Sequence, residues 1–319
     1  MALPAALVSL IGARLRRRPP PAQAPPLLGD EELEALRRRA RLLRRRPVPG
    51  PLPGPRPSLF RGRGLELEGS RPYQPGDEPR HIDWRATARS GRPVTKLFRE
   101  ERESRLLILL DRGPAMHFGT AGRPKSALAA RCAALLAFAA ADAGEPVAAL
   151  LAEPGGLRRF PPARRAVEAL PLLQAAAAPP PRLPAPAAPG PGALLAEALR
   201  GLPPGALLCL VGDLRGLGEE DLPLLRAAAA RHRLLALRIG DPAEEELPPA
   251  GRLRLADPRS GAGGPWTVDL SDPALRARYR ELARERREAL ARLLARAGAE
   301  LLELSTADAE PLAPLEARL

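Results

Sequence analysis

The spacing of apolar positions changes along the chain, and those changes mark out its elements. Residues 106–110 form an unbroken apolar run, Leu-Leu-Ile-Leu-Leu, closed by Asp111. A strand covered on both faces has this pattern, and parallel sheets are built from such strands. Runs at 147–152, 206–211, 234–239 and 300–304 predict further strands, 157–160 an edge hairpin, and 266–270 a short extended piece. Between them, Ala- and Leu-rich segments at 126–143, 163–178, 194–202 and 219–231 are long enough for helices. Asp272 is placed to cap a helix running to residue 297, and Gly298 to end it. Strands alternating with helices predict an α/β fold over residues 106–305, a mostly parallel sheet sandwiched by helices. Ligands of such sheets meet the carboxyl ends of strands, so Asp111 and Asp213 are expected near the working edge.

Outside this block the pattern is broken by proline and glycine. Residues 1–57 read as a basic arm. Its first 26 residues are expected to lack fixed structure, and residues 31–46 to form a helix capped by Asp30, with acids in the first turn and arginines in the last. Residues 47–57, Pro-Val-Pro-Gly-Pro-Leu-Pro-Gly-Pro-Arg-Pro, form a stiff spacer. Residues 58–105 carry short alternating or β-branched pieces at 65–68 and 93–98, which predicts a small β-rich subdomain. Residues 179–191 are low-complexity and predict a surface loop, and 306–319 a C-terminal tail.

Composition narrows the function. The chain has 319 residues, 45% of them hydrophobic, enough for a sizeable core. Its 41 prolines and 28 glycines account for the irregular segments. Aromatic residues are only 3%, which argues against a stacking platform for single-stranded nucleic acid. Two cysteines, Cys132 and Cys209, exclude a disulfide scaffold and a four-cysteine zinc site, and both are expected in the core. The net charge is +13, carried almost wholly by arginine, since Lys96 and Lys125 are the two lysines. Residues 1–60 hold twelve arginines against Asp30, Glu31, Glu32 and Glu34. Such a tract is first of all a solvated basic surface, and it also suits nucleic acid or an anionic membrane. No run of 18 apolar residues exists, so no transmembrane helix is expected. The apolar opening is followed rather than preceded by arginines, unlike a secretory signal.

The densest stretch is 62–103. Arg71, Tyr73, Pro75, Gly76, Asp77, Arg80, Ile82, Asp83, Trp84, Ala88 and Arg89 fall there in close order. Pro75, Gly76 and Asp77 make a turn signature. Asp77 and Asp83 are suited to bidentate pairing with Arg71, Arg80, Arg85 or Arg89, and Trp84 to anchoring the turn on the sheet. The alternative is a surface that docks a partner. These positions resemble the motif of the bacterial family called domain of unknown function 58, over about residues 60–305. That resemblance implies a von Willebrand factor A-like domain after the motif and association with AAA+ ATPases of the MoxR type. No enzymatic activity is established for that family.

A von Willebrand A-like domain often holds a divalent ion with an Asp-x-Ser-x-Ser loop, a distant Thr and a further Asp, oxygen donors that suit Mg²⁺. By that correspondence Asp111 and Asp213 keep their places, while Gly113, Ala115 and Ala193 stand where hydroxyls belong. Arg112 adds positive charge next to Asp111. The expectation is a degenerate site with no Mg²⁺ and no other cofactor. The sequence holds no Gly-x-x-x-x-Gly-Lys-Ser/Thr loop for ATP, no nucleophile elbow and no evident small-molecule site. The leading expectation is thus a non-enzymatic, cytoplasmic interaction protein that contacts a MoxR-type ATPase or a client. The alternatives are a nucleic-acid- or membrane-binding protein acting through the arginine arm, peripheral at the membrane, and a metal-dependent hydrolase.

Overall fold

The computed structural model describes residues 26–44, 66–74, 82–99, 105–179, 186–256 and 266–319. Helix α1 (Asp30–Arg44) comes first. A two-stranded antiparallel pair follows, β1 (Glu66–Pro72) and β2 (Val94–Arg99), with helix α2 (Trp84–Ser90) between its strands. The main body then runs β3 (Leu106–Asp111), α3 (Lys125–Ala143), β4 (Val147–Glu153), β5 (Gly156–Ala163), α4 (Leu170–Ala177), α5 (Pro191–Leu199), β6 (Leu207–Gly212), α6 (Leu222–Arg231), β7 (Arg233–Gly240) and the short α7 (Pro242–Glu245). A hairpin of β8 (Arg252–Leu255) and β9 (Trp266–Asp269), then α8 (Pro273–Ala297), β10 (Glu300–Ser305) and α9 (Ala313–Glu316) complete it.

Six strands make one sheet in the order β10, β7, β6, β3, β4, β5, parallel throughout except for the antiparallel edge strand β5. The apolar run at β3 is explained by helices on both faces. Leu106, Ile108 and Leu110 point into a core shared with α1, α3 and α4, whereas Leu107 and Leu109 point into one shared with α5, α6 and α8. Alternation of side chains along a strand divides one continuous run between two cores. Helix α3 is apolar on nearly every side because it lies between the sheet and α1, so its hydrophobicity is consumed by burial. Gly144, at φ +76°, ends it in the left-handed turn that its sequence invites. Asp272 caps α8 by accepting from the Ala274 N–H at 2.8 Å, and Gly298, at φ +78°, ends it.

Several expected boundaries move. The helix expected over 163–178 is only Leu170–Ala177, because the edge strand carries Pro161 and Pro162 and extends to Ala163. Proline is tolerated there since an edge strand has donors to spare. The helix expected from 219 begins with a 3₁₀ turn at Glu219–Asp221 and becomes α-helical at Leu222. The subdomain over 58–105 is not purely β, since it holds α2. The helix expected over 31–46 forms, but it is docked rather than solvated: Leu36 and Ala40 of α1 lie in the main core, Arg39 pairs with Glu310 and Glu316, and Arg131 pairs with Glu32. The expected tail is likewise packed, with Leu312 and Leu315 buried in the same core.

Candidate functional site

The carboxyl ends of β3, β6 and β7 meet at one rim of the sheet, and the polar side chains there are buried. Asp111 closes β3, and its Oδ1 accepts from the Gly113 N–H at 2.7 Å. Asp213 follows β6. Between these acids the backbone must pass closely, since a Cβ on Gly212 would stand 2.8 Å from the Asp111 Cβ. Leu214 next to Asp213 has φ +56°, a left-handed conformation that a γ-branched residue rarely adopts. Its side chain is buried in the core beside α5 and α6, and this packing holds the turn.

A cation fills the rim from beneath. Lys125, the first residue of α3, is fully buried and donates to Asp213 Oδ2 at 3.1 Å and to Glu244 Oε1 at 2.8 Å. Glu244 also lies 3.2 Å from Arg215. Burial alone would raise the Asp213 carboxyl, but Lys125 and Arg215 hold it below the usual carboxylate range. Asp111 is pushed the other way, to about 7, first by burial and then by the charge of Asp213; the Gly113 N–H and Lys125 only partly offset these.

An open cleft of about 290 Å³ lies over the pair, lined by Asp111, Gly113, Ala115, Asp213, Arg215 and Arg286 among others. The structure thus brings together four of the five positions expected for a degenerate metal site. Ala193, the fifth, is exposed on α5 and is not part of the lining. Arg112 does not contribute its charge to the cleft. Neighbouring residues at a strand end point to opposite faces. Arg112 therefore turns to Glu153 at 2.7 Å and to the carbonyls of Ala175 and Ala178 at the end of α4. The donor set does not fit an oxygen cage for a divalent ion: Gly113 and Ala115 bring no side-chain oxygen, and an ammonium takes the place beside Asp213.

Beneath the rim, Asp241 ties three segments together. Its carboxylate accepts from the Thr120 N–H at 2.8 Å, from the hydroxyls of Thr120 at 2.5 Å and Thr306 at 2.6 Å, and from the Ala243 N–H at 3.1 Å. Lys125, Arg215, Asp241, Glu244 and Arg286 were all missed by sequence reasoning. Lys125 carried a signal: it is one of two lysines in an arginine-rich chain and stands next to a long Ala- and Leu-rich segment. A compact ammonium fits between two carboxylates where a planar guanidinium would not.

The motif residues are differently disposed. Pro75, Gly76, Asp77 and Arg80 lie outside the described residues. Arg71 donates to the Pro72 carbonyl at 3.1 Å, the Tyr73 N–H to the Pro93 carbonyl at 2.9 Å, and Ile82 bridges to Thr95. Asp83 caps α2, accepting from the N–H groups of Arg85 at 3.1 Å and Ala86 at 3.0 Å. Trp84 is not buried as an anchor on the sheet would be. It is 69% exposed, on a helix with no buried residue, and Arg85 and Arg89 are exposed beside it. Cys132 and Cys209 are core residues, and burial raises both thiols, Cys132 to about 12.

The chain matches the model of the family described as "Protein of unknown function DUF58" over residues 69–289. It is 33% identical over 288 residues to uncharacterized proteins of Mycobacterium tuberculosis (Rv1480) and Mycobacterium bovis (Mb1516), spanning 90% of this chain and 89% of each relative. The chain therefore belongs to this bacterial family. Among solved structures, an aerotolerance-related membrane protein from Bacteroides fragilis is similar with a TM-score of 0.44 and 14% identity, over 67% of this chain and 97% of that one.

Proposed function

We propose that the chain is a non-enzymatic interaction module, a von Willebrand factor A-like domain that works without Mg²⁺ and docks a AAA+ ATPase of the MoxR type through the family motif. The exposure of Trp84 carries this reading. Large aromatic and arginine side chains are the usual anchors of protein interfaces, and here Trp84 stands between solvent and two exposed arginines. The family resemblance supplies the partner class. The internal ammonium of Lys125 supports a metal-free rim, because it already pairs with Asp213, one of the two carboxylates that a divalent ion would need. The chemistry of the rim supports binding over catalysis: Asp213 is committed to Lys125 and to the Arg215 N–H.

The test is a binding isotherm between the full chain and a purified MoxR-type ATPase from the same genome. Wild type is expected to bind, and Trp84→Ala to weaken binding at least tenfold without loss of fold. Equal affinity of the two chains, or no association, overturns the reading. Titration with Mg²⁺ and Mn²⁺ in a calorimeter is expected to give no binding heat, and a saturating one-site isotherm overturns the metal-free part.

A further inference from the structure

We infer that the rim cleft is a receptor for the carboxylate of a glutamate or aspartate side chain presented by another protein, held between Arg286 and Arg215. Both arginines line the same cleft, Arg215 from the loop after β6 and Arg286 from the middle of α8. Arg215 lies against Glu244, which it shares with Lys125. Arg286 is half-buried, and among the described residues no carboxylate lies within ion-pair distance of it. The other acid nearby, Glu245, is taken by Arg238. The ion pairs of the rim thus join Lys125 and Arg215 to Asp213 and Glu244, and Arg286 stands outside them, its charge offset only at longer range by Glu245 and Glu244.

Two guanidiniums at one wall repel each other, and burial together with Arg215 makes the charged form of Arg286 costlier. Such a pair is stabilised by an anion that accepts from both forks at once. The walls select which anion. Pro114, Ala115, Ala188, Pro189 and Pro191 give the cleft an apolar flank that suits the methylenes of an acidic side chain. Asp111 and Asp213 on its floor disfavour a dianion such as phosphate. An Asp111 carboxyl that holds its proton offers a further donor to a monoanion.

This site is separate from the α2 face, and its test is independent of the ATPase. In the full chain, the Arg286 Nε–Hε resonance is followed while N-acetyl-Ala-Glu-Ala-amide, its Gln counterpart or inorganic phosphate is added. The Glu peptide is expected to shift that resonance and to bind at least tenfold more tightly than the Gln peptide. Arg286→Gln is expected to abolish the preference, Arg286→Lys to reduce it several-fold, and Arg284→Gln, on an exposed part of the same helix, to leave it intact. Trp84→Ala is expected to leave the titration unchanged. Equal affinity for the two peptides overturns the proposal, as does retention of the preference in a folded Arg286→Gln chain. Phosphate binding at Arg286 more tightly than the Glu peptide overturns the choice of a carboxylate.

Discussion

Lys125 Nζ donates to Asp213 Oδ2 across 3.1 Å with neither side chain meaningfully open to water. This contact joins the start of the central helix to the carboxyl end of a central strand, and Glu244 completes it from α7. Lys125→Met should therefore be severely destabilising. It leaves two buried carboxylates without their shared cation, a loss of about 3–5 kcal/mol for a broken buried pair. Lys125→Arg keeps the charge but adds volume to a filled site, and should still cost about 1–3 kcal/mol. Urea denaturation of the two variants measures both. Wild-type stability in Lys125→Met would show that the ammonium is dispensable.

Asp111 sets a pH dependence of known sign. Its carboxyl is raised from the ordinary 3.8 to about 7 in the folded chain. Between those values the folded state holds a proton that the unfolded state has released. Its contribution to stability therefore falls as pH rises through this window and levels off above 7. Asp111→Asn has no such proton to lose and keeps an oxygen to accept from Gly113. The variant should gain on wild type steadily from pH 4 to pH 7, and at pH 8 be the more stable by on the order of 1–3 kcal/mol. Thermal melts at pH 4, 6 and 8 give the comparison. A gap that stays constant with pH would show that Asp111 titrates normally.

The sheet was legible because β3, β4 and β6 carry uninterrupted apolar runs, and burial on both faces leaves no other use for such a run. The ends of α8 were legible from Asp272 and Gly298. Helix α2 was not, since it buries no residue and so has no apolar periodicity, although Asp83 and Gly91 mark its two ends. The rim was half legible. Asp111 and Asp213 follow recognisable strands, whereas Lys125, Glu244 and Arg286 reach the same point from three helices and share no spacing with them. The turn of Arg112 away from the cleft depends on strand parity at one residue, which the composition around it does not reveal.

Asp241 is the next test of how the rim is held. It accepts from Thr120, Ala243 and Thr306, and so fastens the loop before α3 and the segment after β10 to the end of β7. These bonds keep its carboxylate below the usual range even though burial alone would raise it. Hydrogen bonds to a charged group contribute about 1.5–3 kcal/mol, and unpaired partners left behind add to the loss. Asp241→Ala should cost on the order of 3 kcal/mol. Hydrogen exchange should speed up at Thr120 and over 306–319 while the β3 amides stay protected. Uniform acceleration across the sheet would mean that Asp241 supports the whole fold rather than this fastening.

Trp84 separates an anchor from a docking residue by stability alone. A tryptophan that locked the motif against the body of the protein would cost about 3–5 kcal/mol when truncated, because its large apolar area would be returned to water. With 69% of its surface already in solvent, truncation returns little. Trp84→Ala should stay within about 0.5 kcal/mol of wild type, as exposed substitutions do. Asp83→Ala, on the same helix, should cost about 1 kcal/mol through the lost cap on Arg85 and Ala86. The pair makes an internal comparison: a small cap must outweigh a large indole. Chemical denaturation that ranks them the other way would place Trp84 in a packed interface and remove the basis for reading α2 as a contact surface.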